Sequence, residues 1–558
     1  MEMAVKQVRF LLIVLMCCGV IACGSGSSSS QGTFSISPTA ASVSAGSTQQ
    51  FTSTNGASII WEVNGVASGN ATVGTISSSG LYTAPNQPPT TEPVTITGTS
   101  NGMTATATLS VTYSDASIQG TYMAGFTEYG ANSDTSLLGY FTFDGSGNVS
   151  GTVDANTTST VYTTISVTGH YSINPDGSGM LSIAAGSAGN FNMTLSLAAD
   201  GEFAVTGSTG GEVGANILVP QAASGGATSL SPVTYILNYS GFISNVATVQ
   251  YTGAVTATPG GQLTIQELDK NTGGTTSLET GLSGSYTLNS DGRGTFTFSD
   301  SQGTHHFVMY AEPGGSFQIM SLDTGTPLNG SLDVQTSTFL PTSGYGLVSA
   351  GNLNNSGKPD GFLAQVDLAN QAYMGSENDN GAVTSISGSG TVQPADQYGR
   401  GQLTIPSSSG FRTFAYYVES SGVTDLIEAD ANGDLSGAIF SAPANVPFES
   451  GHYVLVGSFE TSNSQTLNNL SGILDFASAS EITGTEIINS GGMVSTVTVS
   501  GSISFGSNGG ALTLNLSNGD SQHFMVLGVG SGFFALLGED ATTIGAPVLV
   551  IQYTPASS

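Results

Sequence analysis

From about residue 31 onward, apolar and polar residues alternate with the period of two that half-buried strands require. Phe34-Ser35-Ile36, Val94-Thr95-Ile96 and the run TATATLSVT from Thr104 to Thr112 are examples. Turn pairs punctuate these runs, among them Ala45-Gly46, Ser79-Gly80, Asn101-Gly102, Asp144-Gly145, Asp176-Gly177 and Asp291-Gly292. Glycine there supplies the backbone freedom a tight hairpin demands. Helical periodicity is almost absent and no strand–helix–strand unit can be placed, which argues against dinucleotide-binding and P-loop folds. The pattern predicts an all-β protein.

Residues 31–114 hold about seven short strands, enough for a β-sandwich. The one Trp of the chain, Trp61, sits between apolar strand neighbours in Ile59–Val63 and reads as a core plug. The series SPTAASVSAGSTQQFT, WEVNGV, GTISSSGLYTAP and VTITGTSNGMTATATLSV resembles bacterial Ig-like domains of the group 2 type. The resemblance implies a spacer or adhesive module without catalytic residues.

Beyond residue 115 the chain repeats itself. VTGHYSINPDGSGMLSI at 167–183 recurs as LSGSYTLNSDGRGTFTF at 282–298, ISGSGTVQPADQYGRGQLTI at 386–405 and VSGSISFGSNGGALTL at 499–514. Gly169, Gly284, Gly388 and Gly501 match, so the period is about 110 residues, domain-sized and well above that of solenoids. Each copy opens near a Tyr (Tyr122, Tyr235, Tyr345, Tyr453), and apolar hairpins close the copies. The expected architecture is an Ig-like β-sandwich followed by four related antiparallel β-meander modules, each a barrel or a sandwich. The expected divisions are 1–22 leader, 23–30 tether, 31–114 sandwich, then repeats at 115–224, 225–341, 342–446 and 447–558.

The N-terminus carries the strongest signal. Lys6 and Arg9 precede an apolar run, Phe10–Ile21, too short for a comfortable membrane span. It ends in Val20-Ile21-Ala22-Cys23, which resembles a bacterial lipobox. The resemblance implies cleavage before Cys23 and lipidation of that residue, with membrane lipid as partner. Gly24, rather than Asp, then favours the outer membrane, on its periplasmic face or at the cell surface. Residues 24–30, GSGSSSS, read as a flexible tether.

Composition narrows the partners. Charged residues are 8% of the chain and the formal net charge is −31. Removing Glu2, Lys6 and Arg9 with the leader leaves 5 basic and 37 acidic residues. Such a chain has no phosphate-binding surface, so nucleic acid is excluded, as is a polybasic membrane binder. With 38% hydrophobic residues and a mean hydropathy of +0.11 it is not a disordered acidic tail. No cysteine remains beyond Cys23, which excludes disulfides and thiolate metal sites.

Candidate chemistry is sparse. The adjacent His305 and His306 face opposite sides of a strand, and His306 and His523 recur at matching places, which suggests a structural role. Gly98-Thr99-Ser100-Asn101-Gly102 has the spacing of a hydrolase elbow but falls in a predicted hairpin. Asp430–Asp434 is rich in cation ligands, yet lacks the glycine and flanking helices of an EF-hand. Polar residues recur at similar points of the repeats: Asp154 with Asn156, Asp269 with Asn271, Glu377 with Asp379, and Glu486. They read as solvated hairpin ends or as one sugar or cation site per module. No catalytic set and no cofactor is expected. The expected role is structural, adhesive or interactive, with polysaccharide or another envelope protein as partner. A carbohydrate-binding array, a secreted hydrolase and a transmembrane barrel are the alternatives.

Overall fold

The computed structural model describes residues 33–551, apart from internal stretches of which 460–467, 442–449 and 222–227 are the longest. The leader, Cys23 and the tether lie outside the described residues, as do the expected boundaries at 224/225, 341/342 and 446/447. The described residues form strands joined by turns, and their helical elements are three-residue 3-10 turns such as Asp115–Ser117. Among them no helix is long and apolar enough to cross a membrane.

The N-terminal sandwich stacks a five-stranded sheet, built around Val94–Ser100 and Met103–Thr112, on a four-stranded sheet that contains Gly74–Ile76 and Leu81–Thr83. Phe51, Trp61, Val63, Tyr82, Ile96 and Leu109 fill the space between them. Trp61 is only 4% exposed, as its apolar neighbours predict. Asn101-Gly102 turns the antiparallel hairpin and buries Ser100, so the hydrolase-like string has no elbow. One strand, Ala40–Ser44, joins Met103–Thr112 in parallel.

Each repeat is a barrel. In the second, eight strands run in order from Thr234–Ile243 to Asn329–Val334, and the last pairs with the first. The fourth, from Gly451–Phe459 to Val548–Ile551, closes in the same way. The first closes through Asn216–Pro220 on Gln119–Tyr129 and carries an extra two-residue strand, Glu212–Val213. In the third, the fourth strand is interrupted. Ala382–Ser389 pairs with Ala372–Asp379, Thr391–Val392 pairs with Arg400–Ser407, and the chain itself carries the wall across the break at Gly390.

Closure needs strands that stagger, so the fourth strand is long and serves two neighbours in turn. Thr275–Leu288 pairs by its first part with Gln262–Thr272 and by its second with Arg293–Ser299. A glycine sits where the neighbouring strand comes closest. A Cβ at Gly169, Gly284 or Gly501 would lie 2.0, 2.3 or 2.2 Å from a carbonyl of the fifth strand. In the third barrel that position belongs to Gly390, at 1.9 Å from the Thr404 carbonyl, and not to Gly388. The expected match is therefore two residues out, because Gly388 still pairs with Tyr373 of the third strand and the close approach falls at Gly390, in the break.

Alternate residues fill the barrels. Tyr122, Tyr235, Tyr345 and Tyr453 lie on the four first strands and are all buried. In the second barrel Phe296 stacks on Phe307 with ring centroids 4.7 Å apart. Burying each such side chain contributes about 1.5–3 kcal/mol.

The four barrels pack as a closed ring, repeating one contact four times. The second strand of each barrel lies against the sixth and seventh strands of the next. Asp134–Asp144 meets Thr304–Ala311 and Phe317–Ser321; Ala247–Thr258 meets Gly410–Val418 and Val423–Glu428. Lys358–Asp367 meets Ser521–Gly530 and Phe533–Gly538. Asn468–Ser478 then returns to Asn190–Leu197 and Phe203–Gly207 of the first barrel. A head-to-tail contact between unlike faces gives a ring when its rotation closes, and here it closes within one chain.

Candidate functional site: the barrel junctions and the polar barrel ends

The polar residues that recur along the repeats converge on the junctions. Late in each third strand stands an Asn, and in the first three barrels it faces the following one. Asn156 donates Nδ2 to the carbonyls of Ser321 (2.8 Å) and Asp323 (3.0 Å). Asn271 donates to those of Glu428 and Gly433, both at 2.9 Å. Asn378 donates to those of Gly538 (2.6 Å) and Asp540 (3.2 Å). The Oδ1 atoms of Asn271 and Asn378 accept from Gly274 and Gly381 at 2.8 Å, so one amide both caps its own hairpin and pegs the next barrel. Asn489 holds the matching place in the fourth barrel and is buried.

Two residues earlier on the same face, the first two junctions add a charged clasp. Asp154 takes both Nε and Nη2 of Arg293 at 2.7 Å, together with the Tyr310 hydroxyl. Asp269 takes Nε and Nη2 of Arg400 at 2.6 and 2.9 Å, with the Tyr417 hydroxyl at 2.7 Å. Such bidentate pairs fix geometry as well as charge. At the third junction the clasp positions are Ser376, Gly509 and Leu527, and an apolar patch of Leu363, Met525, Leu527, Ala535 and Leu537 replaces the ions. At the closing junction Thr194 and Ser471 share a buried hydroxyl contact of 3.1 Å.

Asp154, Asn156, Asp269, Asn271, Glu377 and Glu486 are therefore not solvated hairpin ends, since all six are buried. Asp379 is half-buried. The first four make their contacts to the following barrel. A strand face pressed on a neighbouring barrel carries the same alternation as one turned to water, which is why the pattern misled.

Glu377 and Glu486 point the other way, into the barrels, where a polar layer lies at one end. In the third barrel Arg412 contacts Asp360, bonds Glu428 at 2.8 Å and lies 3.8 Å from Glu377, all four being buried. Burial pushes Asp360 up to about 7 and Glu428 up to about 8, against the pull of Arg412. In the fourth barrel burial pushes Glu486 up to about 8 beside Gln522. In the second, Lys270 is held between Glu279 and Asp300, with His305 behind Asp300 and the Tyr251 ring 5.8 Å away. Lys270 keeps both carboxyls below their usual range although burial raises them. Ala155 and Phe191 make the same layer apolar in the first barrel.

Of the five basic residues beyond residue 32, Lys270, Arg293, Arg400 and Arg412 are thus turned inward into ion pairs, while Lys358 is exposed. Among the described residues the charges left on the outer wall are therefore almost wholly anionic. Between the second and third barrels a cleft of about 430 Å³ is lined by Thr276, Ser277, Gln393, Asp396, Arg400 and Gln402 among others. On its rim burial and Asp396 push Glu267 up to about 7.

The other candidates resolve as scaffold. His306 and His523 are outward-facing and bond Asp323 (2.7 Å) and Asp540 (3.3 Å) across matching turns. Asp430 accepts the amides of Thr413 and Asn432, and Asp434 accepts that of Asn352. Among the described residues no group of three or more His, Cys, Asp and Glu is placed to hold a metal ion.

No family model matches this sequence, and no curated protein matches it. Among solved structures, two mutants of Transferrin Binding Protein B (TbpB), a vaccine antigen from Haemophilus parasuis Hp5, are similar at 10% identity and a TM-score of 0.18. The alignments cover 63% of this chain and 83% of the double mutant, and 68% and 86% for the single mutant.

Proposed function

We propose that this chain is a lipid-anchored outer-membrane protein with a structural and interactive role, holding a rigid anionic ring of barrels away from the membrane on an Ig-like spacer. The observation that carries the reading is the closed ring, in which the recurrent polar residues join module to module and most cations are drawn inward. A ring of fixed shape with a uniformly acidic wall suits contact with another envelope component and repels polyanions. The spacer is coupled to the ring rather than hung from it. Gln87 bonds the Ser117 carbonyl at 2.5 Å, and the Tyr113 amide bonds the Pro175 carbonyl of the first barrel at 3.2 Å. The lipobox-like Val20–Cys23 supports the anchor.

The polar cleft between the second and third barrels favours neutral polysaccharide as a second class of partner. The role proposed is binding, not catalysis.

Palmitate labelling of cells expressing the full chain tests the anchor. Label in the wild type and none in Cys23→Ser is expected, and label in both or neither overturns it. Protease shaving of intact cells tests display: a chain degraded only after lysis overturns a surface position. Binding of soluble residues 31–558 to neutral glycans, reduced by Gln402→Ala, would place polysaccharide at the cleft. Envelope-protein capture without glycan binding would remove that second reading.

A further inference from the structure

We infer that the second barrel forms an internal amide cross-link between the Lys270 side chain and the Asp300 side chain, with Glu279 as proton carrier. The parts of an acyl transfer are assembled around Lys270. Its Nζ is buried, with 2% of the side chain exposed, and lies 2.5 Å from Glu279 Oε1 and in contact with Asp300 Oδ2. A desolvated lysine beside a base is the ordinary form of an activated amine nucleophile. The Asp300 side chain is fully buried. Its Oδ1 accepts two backbone N–H groups, from Gln302 at 2.7 Å and Gly303 at 3.0 Å. That pair would stabilise the oxyanion that develops on Oδ1 when nitrogen attacks Cγ. The other oxygen, Oδ2, has His305 Nε2 at 2.9 Å. Glu279 is itself fixed by the Ser301 amide at 3.1 Å. The walls are aromatic: Tyr251 lies over Nζ, and Phe298 packs beside His305.

The resting state is an ion pair, so the reaction runs from the minor tautomer in which Nζ has passed one proton to Glu279. Nitrogen then attacks Cγ, and the Nζ–Cγ bond forms. Glu279 returns its proton to Oδ2, then carries a second proton from Nζ to the same oxygen, and the Cγ–Oδ2 bond breaks to release water. Ammonium and carboxylate become amide and water, with no oxidant, reductant or co-reactant. One turnover in the life of the molecule suffices, and held geometry replaces an external activator. The link would tie the third strand to the turn after the fifth, across the fourth. It is the kind of staple a chain without cysteine beyond Cys23 cannot obtain from a disulfide.

The arrangement is particular to this barrel. The positions matching Lys270 are Ala155, Glu377 and Ile488, and those matching Asp300 are Ala185, Ser407 and Leu516, so none of the other three barrels puts a lysine beside a carboxyl there.

The test is the intact mass of purified residues 31–558, which keeps every described element. The wild type is expected to be about 18 Da lighter than its sequence, the loss of one water. Fragment spectra should join the peptide containing Lys270 to that containing Asp300. Lys270→Arg and Glu279→Gln are expected at full mass. A wild-type mass equal to the sequence, fresh and after weeks at neutral pH, overturns the proposal whatever the variants do. So does a water loss that maps to an Asp-Gly step such as Asp144-Gly145, where ring closure of the backbone gives the same mass.

Discussion

Arg293 reaches out of the second barrel and holds both carboxylate oxygens of Asp154 in the first, 139 positions earlier in the chain. Arg400 stands in the same relation to Asp269 one barrel further on. The planar fork of a guanidinium makes this contact and a lysine does not. Asp154→Ala leaves a largely buried guanidinium without its partner and is expected to cost about 3–5 kcal/mol. Denaturant midpoints of the single and double variants check it. In Asp154→Ala with Arg293→Met the loss should fall well short of the sum, since the two residues act as a unit.

The asparagine pegs make a separate prediction. Asn271→Ala removes two bonds to carbonyls of the third barrel and one within its own hairpin, at a cost of about 1–3 kcal/mol. The Glu428 and Gly433 carbonyls lose a donor while the interiors of both barrels keep their packing. Small-angle scattering should therefore show a looser ring with barrel-like strand content intact. Unchanged scattering and an unchanged midpoint would remove the peg from the account.

Acidity should stabilise this protein. Asp360, Glu428 and Glu486 titrate near 7, 8 and 8 when folded, against about 4 for ordinary unfolded carboxyls. Between those limits the folded state holds protons that the unfolded state has released. Their contribution is full below about pH 4 and is lost as pH rises towards 8, by on the order of 1.4 kcal/mol per unit for each buried group. Asp144, Asp367, Glu279 and Asp300 shift downward and act only below that window. Scanning calorimetry should give a higher Tm at pH 5 than at pH 8.5. Glu486→Gln, which mimics the neutral acid, should flatten the slope and raise Tm at the alkaline end.

Trp61 reports on the N-terminal sandwich alone, because it is the one Trp in the chain and lies inside it. Gly80 sits at φ +83° with the Phe51 carbonyl 2.4 Å from where a Cβ would be. Gly80→Ala should shift the tryptophan-detected transition downward by more than about 1 kcal/mol. The far-ultraviolet transition of the barrels should stay in place. A common shift in both signals would mean that the sandwich and the barrels unfold together.

Strand alternation, the Tyr positions and the fourfold period were legible because each reflects a single barrel filling its own interior. The ring was not, because it depends on outward faces. Asn156 and Asn271 occupy polar strand positions whether water or another barrel lies beyond them. A signal did exist: Arg293 and Arg400, two of only seven basic residues, occupy the same Gly-Arg-Gly setting in successive repeats. Cations so scarce and so placed need partners, and the matching partners are Asp154 and Asp269. The pair of Gly388 and Gly390 shows the opposite limit, since two glycines two residues apart fit one motif and only packing tells them apart.

Ring closure also bears on how such a chain can change by duplication and loss. In an open string of barrels, a gained or lost copy alters length and little else. Here each copy turns the path by the same step and the fourth meets the first. Deleting one leaves two junction faces that no longer reach each other, and inserting a fifth forces the faces apart. Copy number is thus held by rotation angle, and divergence is confined to what each junction is made of: ions and tyrosines at two, hydrocarbon at the third, hydroxyls at the last.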